Sequence, residues 1–145
     1  MTADKKRLAF LKRDAVQGFT ETIGLVPVSI RPGRFLTRVK VETHLRQQDG
    51  FAHAGVIAGM ADHTAGYAAF TLVPEGHRIL TVEFKINYLR PAAGETLECR
   101  AWVVKPGKQI LFVEAEVYSI AGTSRSLVAK SSYTMASVPA GKLNR

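Results

Sequence analysis

The segment 54–72 constrains the fold more than any other part of the chain, because it predicts one long, mostly apolar helix among segments that favour strands. Three of its residues are glycines (Gly55, Gly59 and Gly66), and each destabilises a helix by roughly 1 kcal/mol relative to alanine. Small side chains allow a sheet to approach such a helix closely on several sides. We therefore predict that a sheet covers this helix.

The segments on either side of the helix predict that sheet. Apolar and polar residues alternate over 35–43 and again over 80–88, so each strand has one face suited to burial. Further strands are predicted at 26–30, 96–104, 110–119 and 126–136. Because short turns join consecutive strands, we expect an antiparallel sheet. The prediction is an α+β fold, with five to six antiparallel strands around the long helix, in a single domain spanning 1–145.

The N-terminal region predicts an amphipathic helix at about 5–24, because apolar residues recur there at steps of three and four. Five lysines and arginines lie within the first 13 residues and contribute to a net charge of +8. We interpret this cluster as the solvated face of the helix, because no RNA-binding or zinc-finger motif accompanies it. We therefore expect no nucleic-acid partner, whereas a phosphorylated small molecule fits the charge.

The remaining composition predicts a cytoplasmic protein. The single cysteine, Cys99, excludes an internal disulfide framework and suits a reducing compartment; its place in an alternating strand indicates packing. No apolar run approaches the roughly 18–20 residues that cross a bilayer, and the first residues lack the apolar core of a secretory signal. We therefore expect no membrane partner. No set of histidine, cysteine and acidic residues has metal-ligand spacing, so no metal site is expected either.

Two groups on the long helix are candidates for chemistry. The helix begins at His53-Ala54-Gly55, where unpaired backbone N–H groups could polarise a carbonyl. Asp62 is the only acidic residue between Asp49 and Glu75; the helical pattern alone equally permits a capping or solvent-facing aspartate. Gly55 and Asp62 are roughly 10 Å apart along a helix, so one chain cannot easily direct both at one carbonyl carbon. If both act together, two chains must share the site.

The residues around this helix resemble a known family. The run 49–56, followed by Ala61-Asp62, is similar to the signature of hotdog thioesterases of the phenylacetate-degradation (PaaI) type, which usually have His-Gly-Gly and an acidic residue nine positions after the histidine. Asp62 lies nine residues after His53. The run 81–91 resembles the next strand of that family, and 105–108 its following hairpin, so the resemblance covers about 35–135. It implies the hotdog fold and hydrolysis of aryl- or medium-chain acyl-coenzyme A.

The resemblance also implies roles for individual residues. Asp62 would be the general base that activates water, or the nucleophile that forms an anhydride. Backbone N–H groups of Ala54 and Gly55 from the partner chain would polarise the thioester carbonyl, and Gln47 would position water or substrate. Gln47 replaces the asparagine of many relatives, and Ala54 replaces the first glycine of the usual pair. The implied substrate-binding residues are His53, Thr81, Glu83, Tyr88, Arg90, Pro91, Lys105 and Lys108, with the cations near the phosphates of coenzyme A.

The same resemblance implies a homodimer or homotetramer, and no cofactor beyond the coenzyme A of the substrate itself. His53 is expected to be mainly structural, and His63 points about 100° away from Asp62, which argues against a catalytic dyad. Two alternatives stay open: a non-catalytic acyl-CoA-binding module on the same fold, and a hotdog hydratase. The hydratase is the weaker of the two, because the chain lacks the paired aspartate and histidine of those enzymes.

Overall fold

The computed structural model describes residues 4–143, which contain one six-stranded antiparallel sheet, three α-helices and two short 3-10 helices. The strands lie in the order β1-β2-β4-β5-β6-β3, so that β1 and β3 form the two edges. The helices are α1 (Lys5–Asp14), α2 (Phe19–Thr22) and α3 (Ala54–Phe70), and the strands are β1 (Leu25–Arg31), β2 (Arg34–Lys40), β3 (His77–Tyr88), β4 (Thr96–Lys105), β5 (Ile110–Ala121) and β6 (Ser124–Pro139). This is the hotdog architecture implied by the resemblance, and all six predicted strands are confirmed. Within the described residues, no helix has the length and apolar character needed to cross a membrane.

Helix α3 lies against one face of the sheet, which we call the inner face, and contacts every strand. Its alanines at 61, 65, 68 and 69 are completely buried in the core. A buried hydrogen bond of 2.8 Å joins the hydroxyls of Thr37 on β2 and Thr64 on α3, so the polar atoms of this contact are satisfied. The prediction that a sheet covers this helix is therefore confirmed.

The glycines of α3 have a different explanation from the one that we predicted. A Cβ atom at Gly59 would lie 2.8 Å from ring atoms of Phe19 on α2, which is shorter than a van der Waals contact. A Cβ atom at Gly66 would meet no atom within 4 Å, because this residue lines a cavity. The small residues that admit the sheet are thus the alanines, whereas Gly59 admits α2.

The predicted N-terminal helix at about 5–24 is wrong in its length, because the chain turns between α1 and α2. Gly18 has a φ of 54°, a left-handed conformation that interrupts the helix and favours glycine. The hydroxyl of Thr20 accepts a hydrogen bond from the backbone N–H of Gln17 and donates one to the carbonyl of Ala15. These local bonds replace the helical ones, so the periodic apolar residues belong to two short helices.

Strand β3 is confirmed as a strand, but its apolar residues are not buried as the alternation predicted. Leu80, Val82, Phe84 and Tyr88 are all more than 40% exposed, and Val82 reaches 60%. The strand forms an edge of the sheet, and its pairing with β6 shifts between Thr81 and Glu83. Val82 is therefore the extra residue of a β-bulge, and the residues on its two sides are out of phase with a simple alternation.

Candidate active site

Asp62 lies in the third turn of α3, half-buried, and faces β3. The hydroxyl of Thr81 donates a hydrogen bond of 2.7 Å to its carboxylate. Thr81 pairs with Met135, which is buried on the inner face. The structure therefore brings these two predicted site residues together, with the hydroxyl fixing the orientation of the carboxylate.

A cavity of about 470 Å³ opens beside this pair, between α1, α3 and β3. We call it the Asp62 cavity. Its wall combines the aromatic rings of Phe10, Tyr67 and Phe70 with polar groups, among them Asp14. The hydroxyl of Tyr67 donates a hydrogen bond of 2.7 Å to the Asp14 carboxylate. Burial, and then the bond to Asp14, raise the pKa of Tyr67, so the phenol stays protonated.

His63 also lines the Asp62 cavity. We predicted that it forms no catalytic dyad with Asp62, and the two side chains form no hydrogen bond in the described residues. The Nε2 of His63 lies 2.7 Å from the backbone carbonyl of Ala15 in the loop after α1. Because a carbonyl can only accept, Nε2 is the protonated nitrogen. Burial lowers the pKa of His63, against the opposing influence of this hydrogen bond and of the Asp62 and Asp14 carboxylates. The ring therefore anchors the segment after α1 to α3.

The amino end of α3 is capped by His53. Its Nδ1 accepts a hydrogen bond of 2.8 Å from the backbone N–H of Gly55, and its carbonyl accepts from the N–H groups of Val56 and Ile57. His53 thus has the structural role that we predicted. The predicted donor role of Gly55 is not present in this conformation, because its N–H is already engaged. Among residues 4–143, the N–H of Ala54 has no hydrogen-bond partner.

A second cavity of about 480 Å³ lies at this end of the helix, and we call it the helix-start cavity. It brings together five predicted site residues, namely Gln47, Ala54, Tyr88, Arg90 and Pro91. The Tyr88 hydroxyl donates a hydrogen bond of 3.2 Å to the carbonyl of Ala54. The side-chain carbonyl of Gln47 instead accepts from the backbone N–H groups of Asp49 and Phe51, so it stabilises its own loop.

Four predicted substrate-binding residues line neither of these two cavities, and one of them is His53, which caps α3. Glu83 accepts a hydrogen bond from Thr134 on the outer face of the sheet, because the bulge at Val82 reverses the facing of the strand. Lys105 and Lys108 are exposed at the connection between β4 and β5. If these lysines contact coenzyme A, they do so outside the helix-start cavity that Tyr88 and Arg90 line.

Cys99 is excluded as a nucleophile. Its side chain is completely buried, and burial raises the pKa of its thiol to about 12, so the reactive thiolate is scarcely populated at neutral pH. No group of three metal-ligating side chains occurs in the described part of the chain. The chemistry available at the site is thus that of the Asp62 carboxylate, hydroxyls and backbone donors.

Ala54 of the helix-start cavity and Asp62 of the Asp62 cavity are eight residues apart along α3, which corresponds to roughly 12 Å. A sequence profile of the Thioesterase superfamily matches residues 49–125, a span that contains α3, Asp62 and Thr81. The chain belongs to the thioesterase superfamily. This membership makes the protein a thioesterase-family enzyme and agrees with the resemblance seen in its motif.

Individual relatives of this thioesterase agree with that assignment. A thioesterase family protein of Silicibacter pomeroyi is 36% identical, with a TM-score of 0.88 over 91% of this chain and 98% of that one. The 1,4-dihydroxy-2-naphthoyl-CoA hydrolase of Listeria monocytogenes is 25% identical over 69% of this chain and 81% of its own length. The Escherichia coli PaaI protein from the phenylacetic acid degradation operon, 21% identical, shares the fold with a TM-score of 0.80 over 93% of this chain and 96% of its own.

Sequence reasoning missed several residues near Asp62 of this thioesterase. Gly66 is four residues after Asp62, so the helical repeat could have placed it on the same face. Asp14 could not have been found, because nothing in the sequence positions α1 beside α3. Tyr133 on β6 is only 2% exposed, and its hydroxyl has no hydrogen-bond partner among the described residues. Its ring stacks on Phe84 at 5.4 Å.

Proposed function

We propose that this thioesterase hydrolyses acyl-coenzyme A at two equivalent sites, each shared by two copies of the chain. The observation that carries the proposal is the Asp62–Thr81 pair, a carboxylate held by a hydroxyl at the edge of a cavity. The backbone donor of Ala54 lies at the other end of the helix, in a separate cavity. One chain thus contributes the acid and its partner the carbonyl-binding end.

Exposed apolar residues on β3 support a homodimer. An edge strand presents unpaired backbone groups, and an apolar edge is a template for pairing with another chain. Val82, Phe84 and Tyr88 are largely exposed along this edge. Pairing of β3 with the β3 of a second copy would cover them and bring the Asp62 of one chain towards the helix start of the other. A tetramer of two such dimers is compatible with the same arrangement.

The reaction begins when the Asp62 carboxylate removes a proton from a water molecule that attacks the thioester carbon. Negative charge then develops on the carbonyl oxygen, and the N–H of Ala54 from the partner chain stabilises it. Gly55 adds a second donor once the ring of His53 turns away from its N–H. Collapse of the tetrahedral intermediate breaks the carbon–sulfur bond, and the departing thiolate receives the proton from Asp62. The alternative is direct attack by Asp62 to form an anhydride, which water then hydrolyses.

The Asp62 cavity supports an aryl or medium-chain acyl group as the substrate. Its volume of about 470 Å³ falls in the range of small-molecule sites, and its aromatic wall suits an apolar group of limited length. The helix-start cavity of the partner would then receive the pantetheine arm, with Arg90 and the exposed Lys105 and Lys108 attracting the phosphates. The proposed scheme uses no metal and no cofactor beyond the coenzyme A of the substrate itself, and we propose a cytoplasmic location for the enzyme.

A hydrolysis screen with acyl-CoA substrates and free-thiol detection tests the function. We expect turnover of aryl- or medium-chain substrates by the natural chain, and a loss of at least 100-fold in kcat with Asp62→Asn. Asp49→Asn, in an exposed loop, is the charge-matched control and should retain turnover. Unchanged hydrolysis by Asp62→Asn would remove Asp62 from the mechanism.

One observation favours the non-catalytic alternative, an acyl-CoA-binding module. The N–H of Gly55 is already bonded to His53, which leaves one free backbone donor where the proposed oxyanion site uses two. Saturable binding of coenzyme A without turnover of any substrate in a broad panel would support that alternative over hydrolysis.

A further inference from the structure

The outer face of the sheet carries two arginines that face each other without a counter-charge. Arg31 and Arg34 are directly paired across β1 and β2. Like charges at directly opposed positions destabilise a sheet. Neither arginine forms an ion pair with a carboxylate within residues 4–143. The arrangement is therefore short of negative charge at the edge of the sheet formed by β1 and β2.

These arginines line a groove of about 460 Å³, which we call the arginine groove. The other lining residues include Ser29, Arg100, Trp102 and Glu116. Trp102 is paired with Arg34 across β2 and β4, so Arg31, Arg34 and Trp102 form one row. Neighbouring strands are about 4.8 Å apart, which makes the row about 10 Å long. Arg100 lies on the same face, about 7 Å along β4 from Trp102.

Of the three acidic side chains on the outer face of β4 and β5 near the groove, Glu98 and Glu116 are already engaged, whereas Glu114, which pairs with Trp102, forms no ion pair within residues 4–143. Glu98 is only 4% exposed at its side chain and forms ion pairs with Arg38, Arg100 and Arg125 at 2.9–3.1 Å. Glu116 accepts a hydrogen bond of 2.6 Å from Tyr118 and lies 3.6 Å from Lys130. These carboxylates hold other cations, so the charge of Arg31 and Arg34 remains available to a ligand.

The arginine groove is separate from the thioesterase site. Arg100 and Trp102 alternate along β4 with Cys99 and Ala101, which are buried on the inner face against α3. The groove therefore opens on the opposite face of the sheet from the Asp62 cavity. It also lies beside the edge formed by β1, whereas the proposed dimer forms at β3 on the other edge.

We propose that the arginine groove is a second binding site, for a phosphorylated purine nucleoside. Paired guanidinium groups suit a phosphate, which they bind through several charge-assisted hydrogen bonds. The half-buried indole of Trp102 offers a surface on which a planar base stacks, as aromatic side chains do for nucleotides elsewhere. The 10 Å row matches a phosphate between Arg31 and Arg34 with its base on Trp102. A free nucleotide and the nucleotide end of coenzyme A share this chemistry.

Trp102 is the only tryptophan of the chain, so its fluorescence reports directly on the groove. ADP is the probe, with inorganic phosphate, adenosine and coenzyme A as comparisons, and free N-acetyltryptophanamide corrects for absorption by the base. We expect a saturable change in Trp102 fluorescence with ADP below about 1 mM. Adenosine, which lacks phosphate, should bind at least tenfold more weakly, and added salt should weaken ADP binding.

The double variant Arg31→Gln/Arg34→Gln should weaken ADP binding at least tenfold. Lys5→Gln/Lys6→Gln removes the same charge from the exposed side of α1 and should bind ADP like the natural chain. Binding should also persist in Asp62→Asn, which separates this site from the proposed hydrolysis. If coenzyme A binds at least tenfold more tightly than ADP, the ligand is the nucleotide end of coenzyme A. If coenzyme A binds as tightly as ADP or more weakly, the ligand is a free nucleotide. No saturable change with either, or an Arg31→Gln/Arg34→Gln variant that binds as tightly as the natural chain, would overturn the proposal.

Discussion

The carboxylate of Glu98 connects three arginines on the outer face, and Glu98→Gln tests how much this cluster stabilises the fold. The variant keeps the shape of the side chain but removes its charge, and the three guanidinium groups then repel one another. Removing one partner of a fully buried ion pair costs about 3–5 kcal/mol. The side chains of Arg38 and Arg100 are about half exposed (51% and 49%) and can turn to water, which lowers this cost. We therefore expect a loss of about 1.5–3 kcal/mol at pH 7.

The same cluster predicts a dependence on pH. Burial by itself would raise the pKa of Glu98, but hydrogen bonds and charges from Arg38, Arg125 and Arg100 outweigh it and hold the pKa below its ordinary value. A depressed pKa in the folded state gives stability that is present above the unfolded-state value of about 4.3 and is lost as the pH falls through the folded-state pKa. The difference between the natural chain and Glu98→Gln should therefore shrink below about pH 4.

Urea unfolding of both proteins, at a fixed protein concentration and at pH 7, 5 and 3.5, measures these differences. Glu95→Gln is the matched control, because Glu95 is exposed and forms no ion pair within the described residues; its effect should stay within about 0.5 kcal/mol. A Glu98→Gln variant as stable as the natural chain at pH 7 would refute the reasoning. So would a deficit that is equally large at pH 3.5, because the charge would then contribute nothing.

Three further predictions concern the site, the interface and the core. Thr81→Val should lower kcat roughly tenfold in the thiol-release assay, because it removes the hydrogen bond that orients Asp62. Thr81→Ser keeps the hydroxyl and should retain most activity. Equal rates for the two variants would show that the hydroxyl does not contribute to the reaction. Phe84→Glu should shift the species seen by light scattering towards a monomer, because a charge in an apolar interface is costly to desolvate. The control Lys6→Glu, on the exposed side of α1, should leave the mass unchanged. An unchanged mass for Phe84→Glu would contradict the proposed β3 interface. Cys99 should resist alkylation by iodoacetamide at pH 8 until urea unfolds the chain, and mass spectrometry measures the extent of labelling. Rapid labelling of the folded protein would contradict the burial of Cys99.

The fold was accessible from the sequence because its main determinants are local. The alternation over 35–43 predicts β2 with Phe35, Thr37 and Val39 on its buried face, and the structure confirms this. The long helix is predicted by its continuous apolar content, within two residues of its observed end. The break between α1 and α2 was not predicted, because apolar spacing alone does not reveal that Gly18 adopts a left-handed conformation.

The site was accessible only in part. The position of Asp62 follows from its spacing to His53, and Thr81 could be placed through the family motif. The hydrogen bond from the Gly55 N–H to His53 depends on the rotamer of the histidine, which sequence spacing does not predict. The misplacement of Glu83 has a comparable cause, since a single bulged residue reverses the facing of every residue after it. A second concentration of basic residues, besides the N-terminal cluster, lies on the outer face of the sheet, where segments that are distant in the sequence meet.

The bulge at Val82 also limits how two copies of β3 can pair. A strand bends at a bulge, so a regular ladder on its free edge can continue only on one side of the bend. On the side towards Tyr88, six residues are available, from 83 to 88, with a length of about 20 Å. Residues paired across an antiparallel ladder point to the same face, so two identical strands related by a twofold axis must pair one residue with its own copy, and the residues nearest the middle of this segment are Lys85 and Ile86. A cysteine at the self-paired position would lie opposite its own counterpart, so cross-linking of single cysteines at 85 and 86 locates the twofold axis of the proposed dimer.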